Sequence, residues 1–228
     1  TTTTLPPPPV IAVFGDSVPA WLLRDGAAGF SRTDLVLVNG AIEACDGIVD
    51  GPQQRDRRGD LLPVPEGCVA WNTWYPEVIG RVPHVDAALL MVGLTGVVDA
   101  EVDGRWIGPC DSLGWYVDDI AARIDALRGR SVDVVFALPS TLGSRSTFMV
   151  PDDHRERMAC VRSALSAMLA ERNVPVVDLE PRLCPDGDCD ALRPTDGVHV
   201  APEFATATLD WLVGEALTAL RGQAAAPG

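Results

Sequence analysis

The chain has 228 residues, of which 32 are acidic and 18 are basic, so its formal net charge is −14 at pH 7. Its sequence shows no basic stripe that could neutralise phosphates, which argues against nucleic acid and anionic membranes as partners. Every basic residue is an arginine, and the lack of lysine excludes Schiff-base chemistry, pyridoxal phosphate anchoring and a Walker-type phosphate loop.

A proline-rich leader, residues 1–9, has the composition of a stiff extended linker. Continuous apolar runs are typical of strands buried on both faces of a parallel sheet, and they predict strands at 10–14, 34–38, 86–92, 132–138 and 174–178. Helical patterns predict helices at 17–29, 69–81, 114–128, 152–172 and 201–221. Such βα units in series predict one domain over residues 10–221, an α/β fold with a three-layer α/β/α sandwich on a five-stranded parallel sheet.

Two segments lie outside these elements. The segment 40–68 is predicted to be one long irregular stretch, and loops of that length are often functional. Residues 222–228 are expected to form a disordered tail. The longest apolar run, 87–98, is too short to span a bilayer, and no signal peptide is visible.

The six cysteines predict three disulfides and an oxidising compartment, because their number is even and none lies in a zinc-type C-x-x-C pair. A local bridge is expected across a short loop, a second bridge would close the long irregular stretch, and the remaining two cysteines would pair. The expected bridges are Cys184 with Cys189, Cys45 with Cys68, and Cys110 with Cys160. The alternative is a set of buried free thiols in a cytosolic protein.

Ser17 lies just past the end of the first predicted strand, in VIAVFGDS, and begins the first predicted helix. Parallel α/β sheets bind ligands beyond the carboxyl ends of their strands, and N–H groups at a helix start favour developing negative charge. The same Gly-Asp-Ser also fits an ordinary helix cap. We interpret Asp16 as a structural residue of this kind and Ser17 as a candidate nucleophile.

A second motif, PTDGVHV, places Asp196 three residues before His199, immediately ahead of the last predicted helix. A serine hydroxyl is a poor nucleophile until a base removes its proton, and that base needs a carboxylate to orient it. The chain has two other histidines. His84 lies in a loop, and His154 stands among charged residues, where a solvated surface position is expected. The sequence therefore predicts the catalytic triad Ser17, His199 and Asp196.

Gly-Asp-Ser after the first strand and D-x-x-H before the last helix resemble the SGNH (GDSL-type) hydrolase superfamily, from residue 10 to about 220. The resemblance implies a flavodoxin-like fold, a serine-histidine-aspartate mechanism, and no metal or cofactor. It also implies an oxyanion hole built from Ser17, a residue after the second strand and an asparagine after the third strand. In this chain Ala44 aligns with the second of these, where the family has glycine, and Gly40 or Gly47 takes its place in a shifted register. Thr95 stands where the family has asparagine.

Further motifs, namely GDSV, the loop with Cys45, WNTWYPEVIGRVPHVDAALLMVG, DGRW at 103–106 and RPTDGVHV, resemble one branch of that superfamily. This branch is the extracytoplasmic domain fused behind the membrane part of acyltransferase-3 proteins in actinobacteria. The resemblance implies tethering to the outer face of the cytoplasmic membrane, with the N-terminal acyltransferase-3 membrane domain of the same polypeptide as partner.

The same resemblance implies an O-acyltransferase that moves a short acyl group, through an acyl-Ser17 intermediate, onto a hydroxyl of a cell-envelope glycan or glycolipid. A freestanding secreted esterase or deacetylase with the same triad is the first alternative. A catalytically silent module that binds glycan is the second alternative. It remains because Thr95 stands where the family has the asparagine of the oxyanion hole.

The aromatic residues and a run of arginines complete the candidates. Trp106, beside Arg105 in a predicted loop, is the candidate for stacking on a sugar ring. The arginines within QQRDRRGD, residues 53–60, are expected to lie in a solvated loop. Helical spacing predicts core contacts for Trp71, Trp74 and Val78.

Overall fold

The structure is a computed structural model that describes residues 7–148 and 150–225. In chain order its strands are β1 (Val10–Gly15), β2 (Val36–Ala41), β3 (Gln54–Arg55), β4 (Leu61–Leu62), β5 (Ala87–Met91), β6 (Asp99–Val102), β7 (Arg105–Ile107), β8 (Asp133–Leu138) and β9 (Val176–Asp178). Its helices are α1 (Ser17–Gly26), α2 (Trp71–Ile79), α3 (Pro109–Ser112), α4 (Gly114–Arg128), α5 (His154–Glu171), α6 (Glu180–Leu183) and α7 (Pro202–Ala225).

Five strands form one parallel sheet in the order β2-β1-β5-β8-β9. Successive side chains of a strand point to opposite faces, so Phe14 of β1 packs with α2, α4 and α5, whereas Val13 packs with α1 and α7. Both faces of the sheet are therefore buried, which explains why its strands are continuous apolar runs. The predicted three-layer α/β/α sandwich is confirmed.

The last helix is longer than its pattern predicts. It was expected to end at residue 221 but continues to Ala225, so residues 222–225 are helical rather than part of a tail. Alanine is the best helix former, and the side chain of Gln223 donates a hydrogen bond to the carbonyl of Asn173 at 2.6 Å. The rest of the predicted tail, 226–228, and residues 1–6 of the predicted linker lie outside the described residues.

A second, antiparallel sheet in the order β4-β3-β6-β7 was not predicted. It contains part of the segment 40–68 that was expected to be irregular throughout. Strands of two residues are too short to show a period, and their partner β6 lies far along the chain. The β6–β7 turn does have a local sequence signal, the dipeptide Asp103-Gly104, which is typical of two-residue hairpin turns. Both residues have positive φ in the structure, as such a turn requires. The side chain of Gln54 joins this sheet to the turn after β5, donating to the carbonyl of Thr95 at 2.6 Å.

All six cysteines are paired, and the three bridges are those that the sequence predicts. They are Cys45–Cys68, Cys110–Cys160 and Cys184–Cys189. Three disulfides are typical of proteins that fold in an oxidising, extracytoplasmic environment. Among the described residues, no helix combines the length and apolar character needed to cross a bilayer.

Candidate active site

Ser17 lies at the carboxyl edge of the central sheet, on the first turn of α1. Strand β1 ends at Gly15, and Asp16 caps the helix by accepting a hydrogen bond from the N–H of Val18 at 2.9 Å. Only one residue therefore separates the strand from the helix. This sharp connection aims the Ser17 hydroxyl beyond the end of the strand, where α/β sheets bind their ligands.

Asp196 shapes the turn that presents His199 to Ser17. One carboxylate oxygen of Asp196 accepts from the N–H groups of Val198 and His199, each at 2.8 Å. The other oxygen lies 2.7 Å from His199 Nδ1, and His199 Nε2 lies 2.9 Å from Ser17 Oγ. Side chains from opposite ends of the chain thus form one continuous series of hydrogen bonds, which we call the triad (Ser17, His199 and Asp196).

The electrostatics of the triad give each ring nitrogen a role. Burial opposes ionisation of Asp196, but hydrogen bonds from the His199 side chain and from two backbone N–H groups outweigh it and lower the pKa of Asp196. An ionised carboxylate can only accept, so His199 Nδ1 carries the hydrogen. In the neutral ring Nε2 is then free to accept the proton of Ser17.

Arg193, which lies in the motif RPTDGVHV, is a buried structural residue near the triad that the sequence analysis missed. It is 1% exposed and donates to the hydroxyl of Ser140 at 3.0 Å, the carbonyl of Thr141 at 2.6 Å and the carbonyl of Cys189 at 3.0 Å. These bonds tie the segment before Asp196 to the end of β8. No sequence pattern distinguishes such a buried arginine from a solvated one.

Ala44, aligned with the family's oxyanion glycine, lies in a tight turn after β2. The turn is closed by a hydrogen bond from the N–H of Cys45 to the carbonyl of Ile42 at 3.1 Å, and Ala44 has φ 57°. This left-handed conformation favours glycine and is uncommon for a residue with a Cβ such as Ala44. Within the described part of the chain, the N–H of Ala44 has no protein acceptor.

The other residues considered for the oxyanion hole take part in packing. Thr95 is half-buried and its carbonyl accepts from Gln54, and no hydrogen bond joins Thr95 to the triad within the described residues. The carbonyl of Gly40 accepts from the indole N–H of Trp74 at 2.8 Å, and that of Gly47 accepts from the N–H of Trp71 at 3.1 Å. Both carbonyls therefore hold α2 in place. As predicted, Trp71, Trp74 and Val78 pack in or against the core.

The predicted sugar-stacking residues lie in strand β7 rather than in a loop. Trp106 is half-buried, Arg105 is exposed, and no contact joins either to the triad in the described residues. The guanidinium of Arg55 lies 4.7 Å from the centre of the Trp106 ring and pairs with Asp99 at 2.9 Å. The prediction of a solvated loop is therefore wrong for Arg55, because a charge partner and an aromatic ring from another part of the chain cover it.

The remaining histidines stand apart from the triad. His154 was expected at the solvated surface, but it is 5% exposed and begins α5, with Nδ1 3.3 Å from the carbonyl of Pro151. That expectation is wrong, because packing of α5 against the sheet buries the start of the helix despite its charged neighbours. His84 is exposed, and its Nε2 lies 2.7 Å from a carboxylate oxygen of Asp86.

Among the residues that the structure describes, one group of side chains has the spacing of metal ligands. Glu180, Cys184 and Cys189 offer atoms within 4.8 Å of one another. The two cysteines are bonded to each other, however, and a metal needs the thiolate rather than the disulfide.

Asp16 is a carboxyl beside the triad whose pKa is strongly perturbed. It is 7% exposed, and burial raises its pKa to about 6, aided by the charge of Asp46 and opposed by the N–H groups of Val18 and Gly93 and by His199. A Cβ at Gly93 would overlap the Asp16 carboxylate, so glycine is required for this close approach. Asp16 thus links the start of α1 to the segment after β5.

The raised pKa of Asp16 predicts a pH-dependent cost to stability. Its pKa is higher in the folded state than its ordinary value of 3.8, so the folded protein binds the proton more tightly. The cost of ionisation is absent below pH 4, grows as the pH rises to about 6, and then stays constant at about 3 kcal/mol. Asp16→Asn keeps an acceptor for Val18 and carries no charge.

Urea unfolding of the wild-type chain and of Asp16→Asn between pH 4 and pH 7 measures this cost. We expect the stability of the wild type relative to the variant to fall by about 2.5 kcal/mol over that range. If the free energies of unfolding of the wild type and Asp16→Asn differ by the same amount at pH 4 and pH 7, the raised pKa of Asp16 is contradicted.

Comparison with known proteins finds similarity in structure alone. No protein-family model matches the sequence, and none of the curated proteins matches it. A carbohydrate acetylesterase from Sinorhizobium meliloti superposes with a TM-score of 0.61 at 14% identity, covering 93% of this chain and 99% of that chain. A GDSL-like lipase from Bacteroides thetaiotaomicron has a TM-score of 0.60 at 16% identity, with 94% and 92% covered.

A lipase/acylhydrolase from Enterococcus faecalis is also similar, with a TM-score of 0.54 at 17% identity and coverage of 95% and 96%. Each of these similarities extends over nearly the whole of both chains. The chain therefore has the fold of the SGNH (GDSL-type) hydrolases, as the two terminal motifs predict.

Proposed function

We propose that this protein is a serine-dependent acyl-transfer enzyme in which Ser17 is the nucleophile, His199 the general base and Asp196 the residue that orients His199. One observation carries the proposal: the hydrogen bonds that run from Asp196 through His199 to Ser17 at the carboxyl edge of the sheet. Such a series is what a serine needs to react at neutral pH.

In the first half-reaction Ser17 Oγ attacks the carbonyl carbon of the acyl donor, and His199 Nε2 takes the hydroxyl proton. The tetrahedral intermediate collapses as the bond to the donor oxygen or sulfur breaks, and His199 returns the proton to that leaving group. The product is an acyl ester of Ser17. In the second half-reaction His199 removes a proton from an acceptor hydroxyl, whose oxygen attacks the ester carbon. The bond from that carbon to Ser17 Oγ then breaks, and His199 returns the proton to Ser17.

Two backbone N–H groups are proposed to stabilise the negative oxygen of the tetrahedral intermediates. That of Ser17 stands at the N-terminus of α1, where the helix dipole favours negative charge, and that of Ala44 has no protein acceptor among the described residues. Thr95 would supply the third donor in place of the family's asparagine. If the Thr95 hydroxyl does not reach the negative oxygen, one donor is missing, which typically slows acyl transfer by about 10²–10³-fold and would make turnover of simple esters slow.

The acceptor is proposed to be a hydroxyl of a cell-envelope glycan or glycolipid, with Trp106 and Arg105 as the sugar contacts. The acyl group, acetyl or another short chain, would come from an N-terminal acyltransferase-3 membrane domain of the same polypeptide, without a further cofactor or metal. The three disulfides support an extracytoplasmic location, where this glycan is found, and tethering to the outer face of the cytoplasmic membrane is part of the proposal.

A secreted carbohydrate esterase is the second candidate. The observation that favours it is the structural similarity to a carbohydrate acetylesterase that spans 99% of that protein. Both candidates form the same acyl-Ser17 and differ only in whether a sugar hydroxyl or water attacks it. The choice depends on how well the site positions the acceptor and excludes water.

Release of p-nitrophenol from p-nitrophenyl acetate, with and without a β-1,4-linked N-acetylglucosamine oligomer, tests the proposal. A transferase is expected to hydrolyse the ester slowly, to accelerate when the oligomer is added, and to yield acetylated oligomer by mass spectrometry. Steady release that the oligomer does not change would favour the esterase. A protein that neither releases p-nitrophenol nor reacts with a serine-directed phosphonate would instead be a silent glycan-binding module.

A further inference from the structure

Trp21, which no sequence motif singles out, lies against the triad. It is one helical turn after Ser17 on α1, and its ring stacks on the imidazole of His199 with centroids 4.0 Å apart and an interplanar angle of 23°. Its indole N–H donates to a carboxylate oxygen of Glu43 at 2.8 Å. One side chain therefore contacts His199 through its face and Glu43 through its edge.

Glu43 belongs to the same four-residue turn as Ala44. That turn runs from Ile42 to Cys45 and is closed by a backbone hydrogen bond of 3.1 Å between these two residues. The left-handed conformation of Ala44 is costly for a residue with a Cβ, so the turn needs contacts that hold it. The bond from Trp21 to Glu43 is such a contact.

We propose that Trp21 is a positioning residue that holds the imidazole of His199 and the Ala44 turn in fixed relation to Ser17. The inference rests on the proposed function, because it concerns the base and an oxyanion donor of the same site. It assigns Trp21 and Glu43 a role that neither the two terminal motifs nor the fold supplies.

The stacking is strongest when His199 is charged. When His199 takes the proton of Ser17 it becomes a cation, and the face of an indole attracts cations. The contact therefore strengthens between the ground state and the transition state, which raises kcat rather than substrate binding.

Two more charged groups lie near the indole. The guanidinium of Arg24 is 4.6 Å from the centre of the Trp21 ring, and the carboxylate of Asp25 binds it through two hydrogen bonds of 2.7 and 2.9 Å. The charge of Asp25 offsets that of Arg24, so the guanidinium packs on the indole without dominating its electrostatics.

A matched set of variants tests the positioning role in the intact chain. Trp21→Leu removes both contacts, Trp21→Phe keeps a ring against His199 but has no N–H, and Glu43→Gln keeps an acceptor that Glu43→Ala lacks. Trp211→Leu is the control, because Trp211 is another half-buried indole beside an arginine, on α7, with Arg182 5.9 Å from the ring.

We expect Trp21→Leu to lower kcat for p-nitrophenyl acetate about tenfold with KM unchanged, and Trp21→Phe to recover part of the loss. Glu43→Gln should match the wild type, whereas Glu43→Ala should match Trp21→Phe. The double variant Trp21→Phe with Glu43→Ala should be no slower than either single variant, because both remove the same hydrogen bond. Equal kcat and KM in Trp21→Leu and Trp211→Leu would overturn the positioning role and leave the proposed function standing.

A spectroscopic measurement tests the contact without turnover. A carbon–proton NMR spectrum of the chain labelled at histidine Cε1 contains one signal for each of the three histidines. The signal that disappears in the variant His199→Gln belongs to His199. The indole ring current should shift this signal upfield, and Trp21→Leu, but not Trp211→Leu, should move it downfield. A His199 signal that stays in place in Trp21→Leu would overturn the inference. The wild-type chain could also show this upfield shift and yet neither hydrolyse the ester nor react with the phosphonate. That result would overturn the proposed function, and the positioning role with it.

Discussion

Replacing Ser17 with alanine is expected to lower kcat for p-nitrophenyl acetate by about 10⁴–10⁶-fold, or to the uncatalysed rate if that is reached first. The variant has no oxygen to attack the acyl carbon, while His199 and Asp196 keep their own hydrogen bond. It should also lose all reaction with a serine-directed phosphonate. Ser17 is only partly buried, so the urea midpoint should change little and serves as the folding control.

Asp196→Asn tests the orienting role of the Asp196 carboxylate while leaving the Ser17 hydroxyl in place. An asparagine can still accept from the two backbone N–H groups that shape the turn, but its amide can donate to His199 Nδ1. The imidazole would then carry its hydrogen on Nε2 and could not accept the proton of Ser17, with an expected loss of about 10⁴-fold in kcat. Wild-type rates in both variants would remove the triad from the mechanism.

Gly15→Ala is expected to have the largest effect on stability. Gly15 has φ 148°, and a Cβ there would overlap the carbonyl oxygen of Met91 in β5 and lie 2.7 Å from Cγ of Pro19. Both neighbours are held in place, one by the central sheet and the other by the proline ring, so backbone must move. We expect a loss of about 4 kcal/mol in the free energy of unfolding, measured by urea denaturation.

Gly59→Ala is the matched control for Gly15→Ala. Gly59 also has a positive φ, 89°, but a Cβ there would meet no atom within 4 Å. It should cost only the conformational penalty of about 1–2 kcal/mol. Equal losses in the two variants would show that backbone conformation alone, and not the contact with β5, makes glycine necessary before Asp16 and Ser17.

Much of the fold was predictable because its signals are local. The central strands are buried on both faces, and a run such as 10–14 shows this without knowledge of its neighbours. The bridge from Cys184 to Cys189 closes a loop of a few residues. The contact of Asp196 with His199 is local in the same way, because a carboxylate can reach an imidazole three residues later on one turn.

By itself the sequence determined the sandwich and the candidates Ser17, Asp196 and His199, since periodicity and short motifs are properties of neighbouring residues. Which cysteines pair was an expectation from loop closure and elimination, and it is the structure that brings the distant partners together. Only the tertiary structure decided that Ser17 and His199, 182 residues apart, lie in hydrogen-bond contact. It also decided that Trp21 stacks on His199 and that Arg193 is buried. These contacts join residues distant in sequence, and each depends on the packing of a whole layer, which no local pattern encodes.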